Sequence, residues 1–357
     1  PGGEDGSGRF KIGYGGLIMK AAVFFGPEDI RAREVERPEI QDYEILVKVK
    51  ACGICGSDLH MYKLGLFAEM LCRQLDEGGI PGHEFSGQVV EVGKNVADLE
   101  PGDRVMAITF GGMAEYVPVP VIPGFNVPKL PDNVSYEEAA TLEPLANSLH
   151  AVLKGQPAAG ENVFIFGAGI IGLGAVQCLK ALELDLGQII IADVSDKRLE
   201  LAKHLGADET VNVSREDVYQ RAMDITGTES VGMRQDVFMP KVDIVYDCVG
   251  YIKDRPEPTV LQQAMHMARY QTGRVIVHGV FEDAVTLDLM PMVFKQIDIK
   301  GSYGFTPEEV HQSLSLMENG KIDRRVLISH EFSLDEAKEA FETQCRVDES
   351  IKVLIKP

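Results

Sequence analysis

The sequence has few positive charges, no long apolar run and no regularly spaced cysteines. Its 357 residues include 35 Lys and Arg against 55 Asp and Glu, which gives a formal net charge of −20. Phosphate backbones and anionic lipid surfaces both require clustered Lys and Arg, so we expect neither nucleic acid nor a membrane as a partner. No apolar run approaches the roughly 18 residues of a membrane span. These shortages together predict a soluble protein.

The six cysteines lack the spacing of a secreted disulfide framework. In a chain of this length they indicate reduced thiols and therefore a cytoplasmic location. Only Cys52 and Cys55 are close enough in sequence to suggest a site.

Length and composition predict two domains. Hydrophobic residues make up 45% of the chain, which is typical of globular proteins. The Gly-rich residues 1–18 are interpreted as a tag or a disordered tail that belongs to neither domain. Residues 19–146 contain Val-rich runs between Pro-Gly and Gly-Lys-Asn turns, which indicate a β-rich domain.

From residue 147 to 302 the pattern changes to strands alternating with helices. This alternation is typical of a parallel, doubly wound sheet of the Rossmann type. The remaining residues, 303–357, are too few for a third domain and are predicted to complete the first. The predicted fold class is therefore α/β, with a Rossmann domain inserted between two parts of a β-rich catalytic domain.

A glycine-rich turn follows the strand NVFIFG and opens a helix. It fits the pattern G-x-G-x-x-G with the residues Gly167, Ala168, Gly169, Ile170, Ile171 and Gly172. In that pattern the glycines permit a tight turn, close approach of the backbone to a pyrophosphate, and close packing of helix on strand. The context therefore predicts a dinucleotide site.

An acidic residue supports this prediction and favours NAD over NADP. Asp193 ends the next strand, where its carboxylate can hydrogen-bond the adenosine ribose and would repel a 2′-phosphate. Arg198 can stack on the adenine or ribose, or weaken this discrimination. His278 follows the strand GRVIV and is expected near the nicotinamide. The predicted cofactor-binding residues are thus Gly167, Gly169, Ile171, Gly172, Asp193, Arg198 and His278.

A second cluster of residues has the composition of a metal site. The run CGICGSDLH ends a predicted strand and contains Cys55, and the run GHE with His83 and Glu84 follows 28 residues later. Zinc accepts thiolate, imidazole and carboxylate ligands, and a catalytic zinc uses three of them and leaves one position open. Cys55 and His83 are the clearest pair, and either Glu84 or Glu143 can complete the set.

These runs, with PGDRV, GGMAEYV, EPLANSLHAV and FGAGIIGLGAVQ in the same order, resemble the zinc-dependent medium-chain alcohol and polyol dehydrogenases. The glutamate of EPL is similar to that of the sorbitol, butanediol and threonine dehydrogenase branches. The resemblance implies a GroES-like fold for the β-rich domain and a homo-oligomer, either a dimer or a tetramer.

The resemblance also implies roles for individual residues. Cys55 rather than Cys52 would be a metal ligand, together with His83. Glu84 would be a ligand as in polyol members or a nearby carboxylate as in others, and Glu143 would supply the third ligand or a contact through water. Ser57 and His60 match the proton relay of the family. Asp58 matches the residue that orients the metal-binding imidazole.

One family feature is missing from this sequence. A lobe with four closely spaced cysteines, which binds a structural zinc, usually separates the PGDRV motif from the GxxAEY segment. Here only five residues separate Val105 from Gly111, and none is a cysteine. We therefore expect no structural zinc and one catalytic zinc per chain.

The predicted function is hydride transfer between NAD and a secondary alcohol, diol or polyol, which yields a ketone or aldehyde. Two alternatives use the same scaffold. One is a zinc-independent NAD(P)H enoyl or quinone reductase, which would lack the metal ligands. The other is a non-catalytic NAD-binding protein, in which the ligand set would have no reason to be complete.

Overall fold

The computed structural model describes residues 17–231, 234–253 and 258–357. Residues 1–16 of the predicted tail lie outside this part of the chain. The strands are β1 (Ile18–Gly26), β2 (Asp29–Glu36), β3 (Glu44–Gly53), β4 (Arg73–Gln74), β5 (Gly79–Ile80), β6 (Glu84–Val92), β7 (Arg104–Ala107), β8 (Tyr116–Pro120), β9 (Val163–Phe166), β10 (Ile189–Asp193), β11 (Glu209–Asn212), β12 (Thr228–Val231), β13 (Arg234–Pro240), β14 (Ile244–Asp247), β15 (Arg274–Val277), β16 (Asp298–Gly301), β17 (Ile328–Ser333) and β18 (Lys352–Lys356).

The helices lie between these strands. They are α1 (Gly56–Leu64), α2 (Ala68–Leu71), α3 (Tyr136–Ala139), α4 (Leu142–Gly155), α5 (Ile170–Ala181), α6 (Asp196–His204), α7 (Val218–Thr226), α8 (Val260–Met267), α9 (Met290–Lys295), α10 (Pro307–Glu318) and α11 (Ala337–Cys345), with 3-10 turns at Arg325–Leu327 and Leu334–Glu336. None of the helices in the described ranges is both long enough and apolar enough to cross a membrane.

The second half of the chain forms a parallel sheet with six strands, in the order β11-β10-β9-β14-β15-β16. Its central strands are continuous apolar runs because helices cover both faces. Along β9, Val163 and Ile165 pack into one apolar cluster with α4, α5 and α10, while Phe164 and Phe166 pack into another with α7 and α8. This alternation follows the two-residue period of a strand. The predicted doubly wound α/β fold is confirmed.

The β-rich domain consists of two sheets. In the larger sheet the order is β17-β18-β3-β6-β7, with β8 also paired to β3, and in the smaller it is β2-β1-β5-β4. The long strand β3 pairs with β6, β8 and β18. Its inward residues Ile45, Val47 and Val49 pack against Phe85 and Val353 in the core of this domain. A β-rich domain of two sheets thus precedes the parallel sheet.

The last part of the chain contributes to both bodies. Strands β17 and β18 extend the larger sheet of the β-rich domain next to β3. Helix α10 instead places Val310, Leu314 and Met317 in the cluster that contains α4 and α5. These residues are spaced at i, i+4 and i+7, so they form one apolar stripe that packs on the neighbouring helices. Residues 303–357 therefore divide between the two domains in their packing.

Candidate active site

Strand register brings the two predicted metal-binding runs together. Strand β3 ends at Gly53, and β6 begins at Glu84, which pairs directly with Gly53 in the antiparallel ladder. Cys55 follows β3 as the N-cap of α1, and His83 immediately precedes β6. One ligand atom each of Cys55, His83 and Glu84 lies within 4.8 Å of the others. Residues 28 positions apart in sequence thus form one cluster.

The donor atoms of this cluster are short of partners. His83 Nδ1, Glu84 Oε1 and Asp58 Oδ1 are buried without a hydrogen-bond partner. Buried polar atoms are rarely left unpaired, so such a group indicates a ligand. Thiolate, imidazole and carboxylate are the donors zinc accepts, and three protein ligands leave one position open. The residues present therefore fit a catalytic zinc ion.

Burial shapes the titration of these groups. It raises the pKa of the Cys55 thiol and of the Asp58 carboxyl above their usual values. Burial and then the charge of Glu84 raise the pKa of Glu143 to about 7. For His83, burial acts to lower the pKa, but the hydrogen bond and charge of Cys55 hold it well above the usual value. A divalent cation would stabilise the charged forms of all these acidic groups.

Asp58 is positioned by the first turn of α1. It is fully buried, and its Oδ2 accepts a hydrogen bond of 2.9 Å from the backbone N–H of Cys55. Its Oδ1 lies 3.9 Å from His83 Nδ1. A carboxylate at this place holds the cysteine loop and faces the imidazole, as the predicted orienting role requires.

Glu84 contacts a buried lysine that no sequence motif indicates. Its Oε2 forms an ion pair with Lys352 Nζ, and both side chains are 0% exposed. Lys352 also donates a hydrogen bond of 2.8 Å to the carbonyl of Ile54. A Cβ on Gly53 would lie 2.5 Å from Glu84 Oε2 and 2.7 Å from Lys352 Cε, so only glycine leaves room for the pair. The available signal was a single lysine between Ile351 and Val353 in an apolar closing strand.

Glu143 lies at the start of α4, outside the three-residue cluster. Its Oε1 accepts a hydrogen bond of 2.8 Å from Asn147 Nδ2 on the next turn. Five residues after Glu143, the hydroxyl of Ser148 donates to the carbonyl of Ile171 at 3.1 Å. Five helical residues span about 7.5 Å at 1.5 Å per residue. Helix α4 therefore contacts the first turn of α5, which follows the predicted dinucleotide turn, five residues after Glu143.

The glycine-rich turn has the geometry that its mechanism requires. Gly167 has a φ of +92°, a left-handed conformation that favours glycine. A side chain on Gly172 would overlap the carbonyl oxygen of Gly167, so the third glycine allows the helix to begin there. Gly169 caps α5, and the nearest atom to a Cβ on it would be Arg198 Nη1, at 3.9 Å. The free space above a helix N-terminus fits a pyrophosphate.

Asp193 and Arg198 flank this turn. Asp193 Oδ2 accepts a hydrogen bond of 2.7 Å from the N–H of Ala168, and its Oδ1 accepts one of 2.9 Å from Ser195. Arg198 Nη2 donates to the carbonyl of Ser350 at 2.8 Å, and its Nε is buried without a partner. Both side chains therefore lie beside the turn, where the ribose of a bound dinucleotide is expected.

His278 follows β15 at the same edge of the parallel sheet as the glycine turn. Its N–H donates to the carbonyl of Asp247 at 2.9 Å, and its Nδ1 lies 3.3 Å from Ser302 Oγ. Burial lowers the pKa of His278 to about 4, so the ring is neutral at physiological pH. A neutral ring at the carboxyl end of the strands is placed where the cofactor crevice of such sheets lies.

Ser57 and His60 are three residues apart on α1, both partly buried. This spacing places two side chains on the same face of a helix. His60 Nδ1 lies 2.8 Å from Oε1 of Glu282, a residue that follows β15 in the nucleotide domain. No sequence motif indicates a role for Glu282.

Comparisons with known proteins find matches in both parts of the chain. Residues 41–132 match the alcohol dehydrogenase GroES-like domain, and residues 171–319 match the zinc-binding dehydrogenase family. L-idonate 5-dehydrogenase of Vitis vinifera is 32% identical, with 94% of this chain and 93% of that protein covered. Sorbitol dehydrogenase of Bos taurus is 30% identical over 94% of this chain and 95% of that protein. An alcohol dehydrogenase from Escherichia coli CFT073 complexed with NADH superposes with a TM-score of 0.79 at 25% identity, covering 96% of this chain and 100% of that chain.

Proposed function

The chain belongs to the zinc-dependent medium-chain alcohol and polyol dehydrogenases and is an oxidoreductase acting on CH–OH donors, and from this we propose that it transfers a hydride between NAD and a secondary alcohol, diol or polyol. The observation that carries the proposal is the buried cluster of Cys55, His83 and Glu84, whose ligand atoms lie within 4.8 Å of one another. The zinc-independent reductase alternative is not favoured, because the relatives aligned over 94% of this chain are an L-idonate 5-dehydrogenase and a sorbitol dehydrogenase.

Cys55, His83 and Glu84 would hold one zinc ion per chain, with Glu143 facing it through water or as an alternative ligand. Zinc there would supply Lewis-acid chemistry that favours loss of the hydroxyl proton from an alcohol. Among the described residues no other group of three or more His, Cys, Asp or Glu side chains is arranged to hold a metal. The single zinc ion is therefore proposed at this group.

The remaining chemistry falls to residues of the chain. The substrate hydroxyl proton leaves through Ser57 and His60, which lie on one face of α1. Asp58 holds the Cys55 loop by the hydrogen bond from its N–H and faces His83. NAD bound at the glycine turn would accept the hydride with its two electrons, which would leave the alcohol as a ketone or aldehyde.

We propose NAD rather than NADP as the cofactor. The carboxylate of Asp193 lies beside the glycine turn, where it would accept hydrogen bonds from ribose hydroxyls and repel a 2′-phosphate. Arg198 lies close to Gly169, where it would stack on the adenosine. Gly167, Gly172 and Ile171 form the turn, with Gly169 as the cap of α5.

The decisive experiment is a screen of NAD reduction against polyols, vicinal diols, amino alcohols and cyclic alcohols. It is run with and without a zinc chelator, and metal content is measured in parallel. We expect turnover with at least one of these classes, loss on chelation and recovery on addition of zinc. Turnover that survives complete removal of metal would contradict the zinc proposal. Absence of turnover with every class, together with NAD binding, would favour the non-catalytic alternative.

A matched pair of variants tests the ligand assignment. Cys55→Ser should abolish turnover and bound zinc while NAD binding stays largely intact. Cys52→Ser is the control, because Cys52 is the other cysteine of the same CGIC run but packs in the core of the β-rich domain. Equal loss of zinc in both variants would show that the two thiols share the site.

We further propose a homo-oligomer, a dimer or tetramer, with a second copy against β16. In the described structure β16 is the last strand of the parallel sheet, and nearby Met290 and Val293 are each 63% exposed and Tyr303 is 93% exposed. An open strand edge beside exposed apolar side chains favours pairing with another chain. Light scattering should give a multiple of the chain mass, and Val293→Glu should reduce it. A monomer at micromolar concentration would refute this proposal.

We also propose a cytoplasmic location. All six cysteines are free thiols in the structure, and only Cys55 belongs to the group of side chains arranged to hold a metal in the described part of the chain. Thiols of this kind persist in reducing compartments. Fractionation of cells that express the tagged chain would test the location, and recovery outside the cytoplasm would contradict it. No polyanionic partner is proposed, because the net charge is −20.

A further inference from the structure

A single side-chain contact joins the predicted proton relay to the opposite domain. His60 lies on α1 of the β-rich domain, and Glu282 lies in the loop after β15 of the nucleotide domain. The two residues are 222 positions apart, yet His60 Nδ1 and Glu282 Oε1 are separated by 2.8 Å. The side chains are 19% and 9% exposed, so water competes little for this contact.

Glu282 is held rigidly in that place. Its N–H donates to the carbonyl of Tyr251 at 3.0 Å, and the N–H of Tyr251 donates to the carbonyl of Val280 at 3.0 Å. Its second carboxylate oxygen, Oε2, accepts a hydrogen bond of 2.8 Å from the N–H of Lys253. One oxygen is therefore anchored to backbone, and the other is left to face the imidazole.

The contact determines which nitrogen of His60 carries the proton. A carboxylate only accepts hydrogen bonds, so Nδ1 must be the N–H donor toward Glu282. In the neutral ring the lone pair is then on Nε2. This is the form that a proton relay needs, because Nε2 can accept the proton passed on by Ser57.

We propose that Glu282 is a positioning residue that holds His60 as its Nδ1–H tautomer, with Nε2 free to accept the proton leaving the alcohol. The proposal rests on the proposed function and adds a member to its relay. The substrate proton passes to Ser57 Oγ as the proton of Ser57 passes to His60 Nε2. His60 becomes an imidazolium, and Glu282 carries the compensating negative charge without being protonated. No electrons move in these steps, since the hydride leaves separately to NAD.

The contact also makes the relay depend on both domains. Ser57 and His60 come from one domain and Glu282 from the other, so the Nδ1–H tautomer is imposed only where the two meet. If the contact served only to hold the two domains together, it would require the charge of Glu282 but would not depend on the His60 tautomer. The two roles therefore predict different spectra.

The test uses the zinc-loaded full-length protein labelled with ¹⁵N, and NMR of the histidine rings identifies the tautomers. The His60 signals are assigned by their absence in His60→Gln. In the wild type, His60 should be the Nδ1–H tautomer when neutral. Glu282→Ala should convert a large part of it to the Nε2–H tautomer, and the near-isosteric Glu282→Gln, which keeps an oxygen acceptor, should retain more of the original form.

Asp283→Asn is the matched control. Asp283 is the neighbouring acid, 53% exposed, and its carboxylate pairs with Lys253 Nζ at 3.5 Å rather than with His60. In Asp283→Asn, the His60 spectrum and the turnover should match those of the wild type. In Glu282→Ala, kcat should fall about tenfold to a hundredfold with KM little changed, as for other residues that orient a reacting imidazole. Glu282→Gln should recover part of this loss.

Three results would overturn the proposal. The first is a His60 tautomer that stays the same in Glu282→Ala. The second is a changed tautomer with kcat unaffected. The third is a kcat loss of the same size in Asp283→Asn. These results are distinct from failure of the proposed function. If the wild type oxidised no alcohol, the tautomer measurement would still report whether Glu282 orients His60.

Discussion

Replacing Lys352 with methionine should separate the structural role of the buried ion pair from the role of the metal. Lys352 and Glu84 are both 0% exposed, and among the described residues Glu84 forms no ion pair with any other cation. Breaking a buried pair by removing one partner typically costs 3–5 kcal/mol, roughly, because the remaining charge is uncompensated. The carbonyl of Ile54 also loses its hydrogen bond from Lys352, which adds about 1 kcal/mol. Methionine fills similar space, so cavity formation contributes little.

The expected loss in the zinc-free protein is therefore about 4–6 kcal/mol. This is a large part of the roughly 5–15 kcal/mol that stabilises a typical domain. A zinc ion near Glu84 would compensate its charge in place of Lys352, so the loss should be clearly smaller in the zinc-loaded protein. Adding Glu84→Gln to Lys352→Met removes the uncompensated charge and should restore much of the stability of the zinc-free form.

The assay is denaturant unfolding with and without zinc, followed for wild type, Lys352→Met, and the double variant. Lys356→Met is the control, because Lys356 is on the same strand and pairs with Glu137 at 2.6 Å, but its side chain is 41% exposed. Exposed pairs contribute about 0–1 kcal/mol. The reasoning is refuted if Lys352→Met loses no more than this control, or if Glu84→Gln restores nothing.

Three further predictions concern the nucleotide domain. Gly172→Ala should reduce NAD affinity at least tenfold, measured by fluorescence titration, since its side chain would overlap the Gly167 carbonyl; unchanged affinity would contradict the assigned turn. Asp193→Ala should narrow the ratio of kcat/KM between NAD and NADP, and an unaltered ratio would count against the ribose assignment. Burial lowers the pKa of Lys295 from 10.5 to about 7. Between these two pH values the unfolded chain binds more protons than the folded chain. The free energy of unfolding should therefore rise with pH across that range, by up to about 1.4 kcal/mol per pH unit. Lys295→Met should flatten this rise in denaturant unfolding at several pH values, and an equally steep rise in the variant would exclude Lys295 as its source.

Much of the fold was predictable because its signals are local. The apolar strand of β9, the glycines after it and Asp193 at the end of β10 predicted the nucleotide domain, and β9 and α5 begin where the sequence indicated. Side-chain period and left-handed backbone conformation are properties of neighbouring residues, so sequence alone reveals them. Residues 61–79 mix Met, Leu and charged side chains without a regular period, and the structure has there the end of α1, the short helix α2, and the strands β4 and β5.

The ligand types of the candidate site were also present in the sequence, through Cys55, His83 and the adjacent Glu84. Their convergence depends on the pairing of Gly53 with Glu84, which turn and strand patterns alone do not specify. Of the two carboxylates left open as a third ligand, the structure groups Glu84 with Cys55 and His83. Glu143 instead accepts a hydrogen bond from Asn147 on α4.

The sequence by itself determined the two domain types, the dinucleotide turn and the residue types of the metal cluster, because each follows from short-range backbone geometry and ligand chemistry. Only the tertiary structure decided that Lys352 compensates Glu84 and that Glu282 faces His60. A lone lysine in a closing strand and a glutamate in a loop carry no local signal. Their roles arise from burial and from the meeting of two domains, which removes water and makes a single charge partner decisive.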